Sequence, residues 1–416
     1  LSASALNISN DVLTYGKLRV SYASVGGDTN PYQTLFNYTP QTGAFGQFGT
    51  GTTYPFNGTL AFGGPNVIPP ADLRPEISNS FEAGTELQFF NGRLGLDVTY
   101  YEVITKDQIL AIPIPESTGF TSKRTNIGQT SNTGWEIELD ADIIRTSNFS
   151  WNTGINFTKN TFIVDELADG VDRLVVNSGF NSIQVVAEPG QTYGLYGNTF
   201  QRVEADTALA YLDRRILVDP NTGLRLTGDN ERLGDVFPKF LMGMTNNLSW
   251  KGINLRFTVD WRNGGLIYSE TVQNLRSLGL AAETGINRNS AYIDPEAVVV
   301  NADGTIRAND IPVTMQGFWG SYASGNIAEG NTFDASFVKL REIGISYSLP
   351  QSILGKTFIK GLSIGVEGRN LAILYKAVPH IDPETNLFGS ANDGAGIEFN
   401  SPVTARTIGG NIKLTF

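Results

Sequence analysis

Apolar and polar residues alternate with a period of two along many segments of this chain, each about ten residues long. Leu94, Leu96, Val98 and Tyr100 form one such apolar row, because successive side chains of a strand point to opposite faces. Strands in soluble proteins are usually about half this length, whereas a tilted strand of about ten residues crosses a bilayer. The pattern predicts an all-β chain that spans a membrane as an antiparallel sheet.

The two faces of these predicted strands differ in chemistry. In one segment Trp135, Ile137 and Leu139 alternate with Glu136 and Glu138. Acidic side chains need water, and the opposite row is apolar. The alternation therefore predicts a wall with a lipid-facing surface and a hydrated inner surface. A soluble β-sandwich binding protein is an alternative.

Two kinds of connection join the predicted strands. Asn91-Gly92 and Lys251-Gly252 predict tight hairpin turns, because such turns need residues that tolerate positive φ angles. The other connections are long, mostly polar and punctuated by Gly and Pro. Short turns on one rim and long loops on the other are typical of outer-membrane barrels. The long predicted loops are 26–72, 111–121, 165–188, 204–235, 268–334 and 375–401.

Composition narrows the classes of partner. The chain has 416 residues, a formal net charge of -11 and no cysteine. Nucleic acid is disfavoured, since phosphate binding needs clustered Lys and Arg, and disulfides or thiolate sites are excluded. The chain contains no stretch of about eighteen consecutive apolar residues, so no transmembrane helix is predicted. A membrane-spanning form must therefore belong to a closed barrel, in which every strand's backbone is paired.

Six segments carry recognisable motifs. They are LRPEISNSFEAGTELQFFNGRLGLDVTYY (73–101), NIGQTSNTGWEIEL (126–139), FVKLREIGISYSLP (337–350), GRNL (368–371), DPE (382–384) and KLTF (413–416). In this order they resemble the barrel of TonB-dependent receptors, specifically the SusC/RagA branch found in Bacteroidetes.

The resemblance implies a transmembrane antiparallel β-barrel of about 22 strands. Residues 1–416 would supply roughly its C-terminal half, about a dozen strands, and the plug and N-terminal domain would lie on preceding sequence. The function would be active import of a nutrient, an oligosaccharide or a peptide, across the bacterial cell outer membrane. A passive porin remains an alternative, as does an outer-membrane enzyme.

The same resemblance implies partners. A SusD-like surface lipoprotein would close over the barrel and capture substrate. TonB would act through the N-terminal region that precedes this chain. Membrane lipid and lipopolysaccharide would surround the wall, which would also contact the N-terminal half of the barrel and the plug.

The segment 407–416 predicts the closing strand of the barrel. Its alternation places Ile412, Leu414 and Phe416 in one row. A terminal aromatic residue on such a strand resembles the signal that barrel-assembly machinery reads, so these three are candidate assembly-signal residues. The strand would pair with the barrel's first strand, which is expected on preceding sequence.

His380 is the only histidine and lies near Asp382 and Glu384. A histidine general base could use such a carboxylate neighbour, but no nucleophile motif accompanies it, and a plain loop histidine is favoured. No catalytic, cofactor-binding or metal-binding residue is predicted, and the chain is not predicted to be an enzyme.

Loop-bound calcium remains an alternative because several loop segments carry oxygen ligands. Turn formation explains the same residues more simply. The segments are Asp294-Pro-Glu296, Asp382-Pro-Glu384, 301–304 and 392–394.

Aromatic residues in the predicted loops are candidate contacts for ligand or lid. Tyr38, Tyr54, Trp319 and Tyr322 carry flat rings that can stack on a sugar or pack on a partner protein. Packing between neighbouring loops is the alternative explanation.

Overall fold

The computed structural model describes residues 11–29, 31–41, 54–70, 72–126, 128–179, 181–204, 206–286, 288–355, 358–387 and 395–416. Its main feature is one sheet of ten antiparallel strands that are 9 to 18 residues long. They are β1 (Leu13–Gly27), β2 (Glu76–Phe89), β3 (Leu94–Lys106), β4 (Gln129–Arg145), β5 (Phe149–Glu166), β6 (Phe240–Trp250), β7 (Ile253–Asn263), β8 (Phe337–Ser348), β9 (Gly361–Lys376) and β10 (Thr407–Thr415).

Sequential pairing confirms the predicted up-and-down wall. Strand order in the sheet equals chain order from β1 to β10, so each connection joins adjacent strands, as in antiparallel barrels. The described residues contribute ten strands to this sheet, where about a dozen were expected. β1 and β10 are its edges, and each is paired on one side only within the described part of the chain.

Hairpin turns on one rim have the predicted backbone geometry. Asn91 and Gly92 have φ angles of 57° and 77°, and Lys251 and Gly252 have φ angles of 45° and 90°. A type I′ turn requires positive φ at both central residues. The turn between β6 and β7 consists of Lys251 and Gly252 alone.

The sheet has one apolar and one polar face. Tyr347, Ile364 and Ile412 are register partners on β8, β9 and β10, and they are 42%, 48% and 69% exposed. A continuous row of exposed apolar side chains is typical of a lipid-facing surface. One residue along, Ser346 and Asn411 lie in the opposite, polar row, as the alternation predicts.

The long connections on the other rim contain strands of their own. Extended excursions were expected there, but most of these strands have only two to five residues, too few for a periodic pattern. They are Thr39–Gln41, Ala61–Gly63, Val67–Ile68, Ile109–Pro113, Ser122–Asn126, Leu174–Ser178, Gln184–Ala187, Gly194–Phe200, Ile216–Leu217, Thr227–Asp235, Leu266–Ser269, Ala297–Val300, Ile306–Ala308, Thr332–Asp334 and Ile397–Glu398.

Helices are short. Ser269 accepts a hydrogen bond from the backbone N–H of Val272 at 3.0 Å and thereby caps the first helix. In the residues described above, no helix is long and apolar enough to cross a membrane. The α-helices are α1 (Glu270–Ser277), α2 (Met315–Ser324) and α3 (Gln351–Leu354), and the 3₁₀ turns are Glu116–Thr118, Tyr211–Asp213, Ala282–Gly285 and Glu329–Asn331.

A large buried cluster lies among the loops. Ile183, Leu195, Val236, Tyr268 and Ile397 pack together and are each at most 1% exposed. They come from the connections that follow β5, β7 and β9. Three long loops therefore share one hydrophobic core on the rim opposite the tight turns.

Candidate functional site

A cavity of about 500 Å³ lies where the polar face of the sheet meets the loops, between β5, β6, β7 and β8. The connection 377–406 also lines it. Its size is typical of ligand sites, and we call it the mouth cavity. Its charged and amide-bearing lining residues are Asn156, Asp260, Arg262, Arg341, Glu384 and Asn386.

Arg341 organises the charged wall of the mouth cavity. Its Nε donates to Asp260 Oδ2 at 2.5 Å, and its two terminal nitrogens donate to the two carboxylate oxygens of Glu384. A two-pronged pair of this kind is strong and directional. Arg341 is the extra residue of a β-bulge in β8, and bulges commonly re-aim a side chain next to a functional site.

Lys339 holds the connection 377–406 on the wall. Its Nζ lies 2.5 Å from Asp382 Oδ1 and 2.5 Å from Glu384 Oε2, and Lys339 is 1% exposed. Thr404 Oγ1 donates to Asp382 Oδ2 at 2.8 Å. Burial raises the pKa of Asp382 and of Glu384, but hydrogen bonds from Lys339 and Arg341 outweigh burial and hold both pKa values below their ordinary range. Both carboxylates are therefore charged at neutral pH.

The sequence motifs contain four of these residues but do not indicate which of them are in contact. Lys339 and Arg341 lie in the FVKLRE segment and Asp382 and Glu384 in the DPE segment, and Asp382 comes 43 positions after Lys339. Pairing over such a separation leaves no local periodicity. Asp260 is a polar member of the alternating segment 253–261, and no signal in that segment indicates Arg341 as its partner.

The polar face carries further charge away from the mouth cavity. Arg19 on β1 donates to Asp97 on β3 at 2.5 Å and lies 3.8 Å from Glu86 on β2. Glu136 and Glu138 on β4 are exposed, as the alternating acidic row predicts. This face is therefore suited to water, because charged side chains stay hydrated or paired along it.

The four predicted loop aromatics occupy different environments. Tyr38 is 66% exposed, and Tyr54 is half-buried. Trp319 is half-buried and its ring centroid lies 5.4 Å from that of Tyr322. Tyr322 is only 4% exposed and packs against Phe318 inside a loop core. Direct contact with ligand or lid stays a prediction, and burial limits it to the three residues other than Tyr322.

The predicted assembly-signal residues all lie on the exposed apolar face at the end of the chain. Ile412 is 69%, Leu414 47% and Phe416 65% exposed. The Phe416 ring stacks on Phe358, with centroids 5.8 Å apart and planes 9° apart. Their role in assembly stays a prediction.

His380 connects two loops. Its Nε2 lies 2.7 Å from Glu283 Oε2, and Arg276 Nε donates to the same carboxylate at 2.8 Å. Burial raises the pKa of Glu283, but the hydrogen bonds from Arg276 and His380 outweigh burial and keep that pKa below its ordinary range. The contact between His380 and Glu283 therefore joins the connections after β7 and β9.

Several carboxylates in the segments that carry possible calcium ligands form ion pairs with Arg or Lys. Asp294 accepts from Arg225 Nε at 2.7 Å, and Glu296 from Arg225 Nη2 at 2.8 Å. Asp382 lies against Lys339 in the same way. Residues 392–394 lie outside the described residues, and within those residues no group of three or more acidic or histidine side chains could hold a metal ion. Loop-bound calcium stays an alternative to the prediction of no metal site.

Comparison with curated proteins gives consistent matches over almost the whole chain. Residues 6–371 match the family described as TonB dependent receptor-like, beta-barrel. The chain is similar to TonB-dependent receptor P3 of Formosa agariphila, at 27% identity over 99% of this chain and 40% of that protein. TonB-dependent receptor SusC of Bacteroides thetaiotaomicron is 25% identical over 92% of this chain and 36% of that protein. The chain spans about two fifths of the length of the curated relatives it matches.

Solved structures share the same fold. The RagAB peptide transporter matches with a TM-score of 0.69 and 19% identity, over 100% of this chain and 42% of that chain. The RagAB peptide importer in its open-open state matches with a TM-score of 0.65 and 19% identity, over 98% of this chain and 41% of that chain. At this level of identity the likeness concerns the fold alone.

Proposed function

The chain belongs to the TonB dependent receptor-like β-barrel family, and from this premise we propose that it forms part of the wall of an outer-membrane nutrient importer. The two faces of the sheet are the observation that carries the proposal. One face is a continuous exposed apolar surface, and the other holds ion pairs and a cavity at the loop rim. Lipid outside and a hydrated passage inside require that arrangement.

The two edges of the sheet indicate that further strands complete the barrel. β1 and β10 each lack a second neighbour among the described strands, and unpaired backbone groups are costly in lipid. Residues 1–416 would form the C-terminal portion of the barrel, with the N-terminal strands pairing along both edges and the plug inside. The chain's share of its relatives' length, about two fifths, leaves room for those parts.

Energy and substrate capture would come from partners. TonB would act through the N-terminal region, and a SusD-like lipoprotein would sit on the long loops. One curated relative is named SusC, and the solved structures of the same fold are of the RagAB peptide transporter, which supports a two-component importer. Lipid and lipopolysaccharide would contact the apolar face. Because the family is one of receptors, no catalytic step is proposed.

Uptake measurements test this function directly. A strain that lacks the gene would be given fluorescently labelled hexasaccharides and hexapeptides, with the complete gene restored in a matched strain. We expect uptake of one of these probes only in the restored strain, and loss of that uptake when a protonophore dissipates the inner-membrane gradient. Uptake that continues without the gradient would identify a passive porin and contradict the proposal.

A further inference from the structure

A second cavity, of about 540 Å³, lies beside the mouth cavity. It is formed by β4, β5, the start of β6 and the connection 167–239. Thr158 and Leu241 line both cavities, so the two are adjacent. We call the second one the aromatic cavity, and its lining residues are Asn132, Thr158, Asn160, Phe162, Tyr193, Phe237, Pro238, Phe240 and Leu241.

Three aromatic rings build one side of the aromatic cavity. The Phe162 centroid lies 4.8 Å from that of Tyr193 and 5.8 Å from that of Phe237. Tyr193 and Phe237 are stacked with an interplanar angle of 29°. All three side chains are half-buried. Their mutual contacts hold the rings in place, so a flat apolar ligand surface can pack on them without first ordering them.

Amide groups face the same cavity. Asn132 on β4 is the register partner of Phe162 on β5, and its Oδ1 is buried without a hydrogen-bond partner in the described part of the chain. Asn160 Oδ1 accepts a hydrogen bond from the Tyr101 hydroxyl at 3.0 Å, which orients that amide. A buried acceptor without a donor is uncommon, and a hydroxyl-bearing ligand would supply the donor that Asn132 lacks.

The two cavities differ in the charge of their lining residues. None of the described residues that line the aromatic cavity is charged, whereas the charged groups Asp260, Arg341 and Glu384 of the mouth cavity pair with one another. A charged ligand would therefore find no counter-ion beside the three rings. A neutral molecule with one apolar face and several hydroxyl groups matches the lining best.

We infer that the aromatic cavity is a subsite for one neutral sugar ring of an imported oligosaccharide. The C–H face of a pyranose packs on an aromatic ring and buries apolar surface, while its hydroxyl groups donate to Asn132 and exchange hydrogen bonds with Asn160 and Thr158. The inference rests on the proposed importer function and narrows its substrate class from oligosaccharide or peptide to a neutral oligosaccharide.

Calorimetry on the complete protein, purified in detergent, tests the subsite. The probes are maltohexaose, cellohexaose, mannohexaose and xylohexaose, with a Gly/Ser hexapeptide as the peptide probe. We expect one of the sugars to bind, and Asn132→Ala to raise its Kd about tenfold, because one hydrogen bond is lost. Phe237→Ala should raise the Kd at least as much, and Asn247→Ala, which changes an exposed amide on β6 outside the cavity, should leave it unchanged.

Each other outcome decides against the subsite. Binding of none of the four sugars, a Kd that Asn132→Ala and Phe237→Ala leave unchanged, or hexapeptide binding that these variants weaken would overturn it. Heat-dependent gel mobility shows whether each variant is folded, and Asn132→Ala removes no ring packing. Gradient-dependent uptake that both variants leave intact would overturn the subsite alone, whereas a complete protein without gradient-dependent uptake would overturn the importer function.

Discussion

At the residue scale, the buried charge of Lys339 depends on its two carboxylate partners. Its ammonium group is 1% exposed, and a buried charge is tolerated only when it is paired and hydrogen-bonded. Asp382 and Glu384 provide both partners. The connection 377–406 therefore cannot leave the wall without leaving a buried cation unpaired.

Replacing Lys339 by Met tests whether Lys339 is the anchor that holds the connection 377–406 on the wall. The change leaves the Asp382 carboxylate buried without its cation, so the free energy of local opening of the connection 377–406 should fall by about 3 kcal/mol. Amide hydrogen exchange over this connection measures that free energy. Lys360→Met alters an exposed lysine and should change exchange by less than about 0.5 kcal/mol. Equal exchange in the two variants would show that Lys339 is not the anchor.

Acid should weaken the same anchor. The pKa values of Asp382 and Glu384 are lowered in the folded protein. Their pairing therefore contributes stability that is fully present above their ordinary pKa, at about 4, and is lost as the pH falls through the folded-state values. Protection factors in 377–406 should decrease between about pH 5 and pH 2. The decrease should be smaller in Asp382→Asn, and an equal decrease in both proteins would argue against this origin.

At the element scale, Phe416 directly follows β10, and its ring has two roles to separate, assembly signal and ring packing. Phe416 is 65% exposed and stacks on Phe358. Deleting Phe416 should lower the amount of protein assembled in the outer membrane, because the terminal aromatic is the proposed assembly signal. Phe358→Ala removes the ring stack but keeps the signal, so assembled levels should stay normal. The comparison is made by immunoblotting of membrane fractions, and equal losses in both variants would assign Phe416 to packing.

The two-residue turn between β6 and β7 gives a second prediction at this scale. Gly252 has a φ of +90°, and a Cβ atom there would lie 2.7 Å from the Ser348 carbonyl oxygen. Gly252→Ala should destabilise the protein by about 2 kcal/mol or more, from backbone strain and crowding together. Gly304 has a similar φ of +83° and open space around it, so Gly304→Ala should cost only about 1 kcal/mol, from backbone strain alone. Urea unfolding in detergent measures both, and equal costs would contradict the crowding.

The length of a strand decides whether the sequence pattern could predict it. β3 and β4 are 13 and 17 residues long, and each contains a strict period of two, from Leu94 to Tyr100 and from Trp135 to Asp142. The hairpin residues Asn91 and Gly92 mark where β2 ends. The two-residue strand Ile216–Leu217 has no period at all, and it pairs with Ala297–Val300 some eighty residues later. Contacts that distant depend on the packed loops, which local patterns do not encode.

At the scale of the whole molecule, the sheet has one face suited to lipid and one face suited to water. Its apolar face continues across the strands, and its polar face leads to the mouth cavity at the loop rim. The wall and its motifs were predictable because alternation and the FVKLRE and DPE segments are local. The site was not, because Lys339, Arg341 and Asp260 meet the carboxylates of Asp382 and Glu384 only in the folded chain.

Cysteine labelling in intact outer membranes tests the two-faced wall most directly, since the chain has no cysteine of its own. Ile345 and Ser346 are neighbours on β8 that face opposite sides, and Ile345 is 54% exposed. Ser346→Cys should react with a small water-soluble maleimide and Ile345→Cys should not, whereas a membrane-soluble maleimide should label Ile345→Cys. Equal reaction of both cysteines with the water-soluble reagent would contradict a wall with lipid on one side and water on the other.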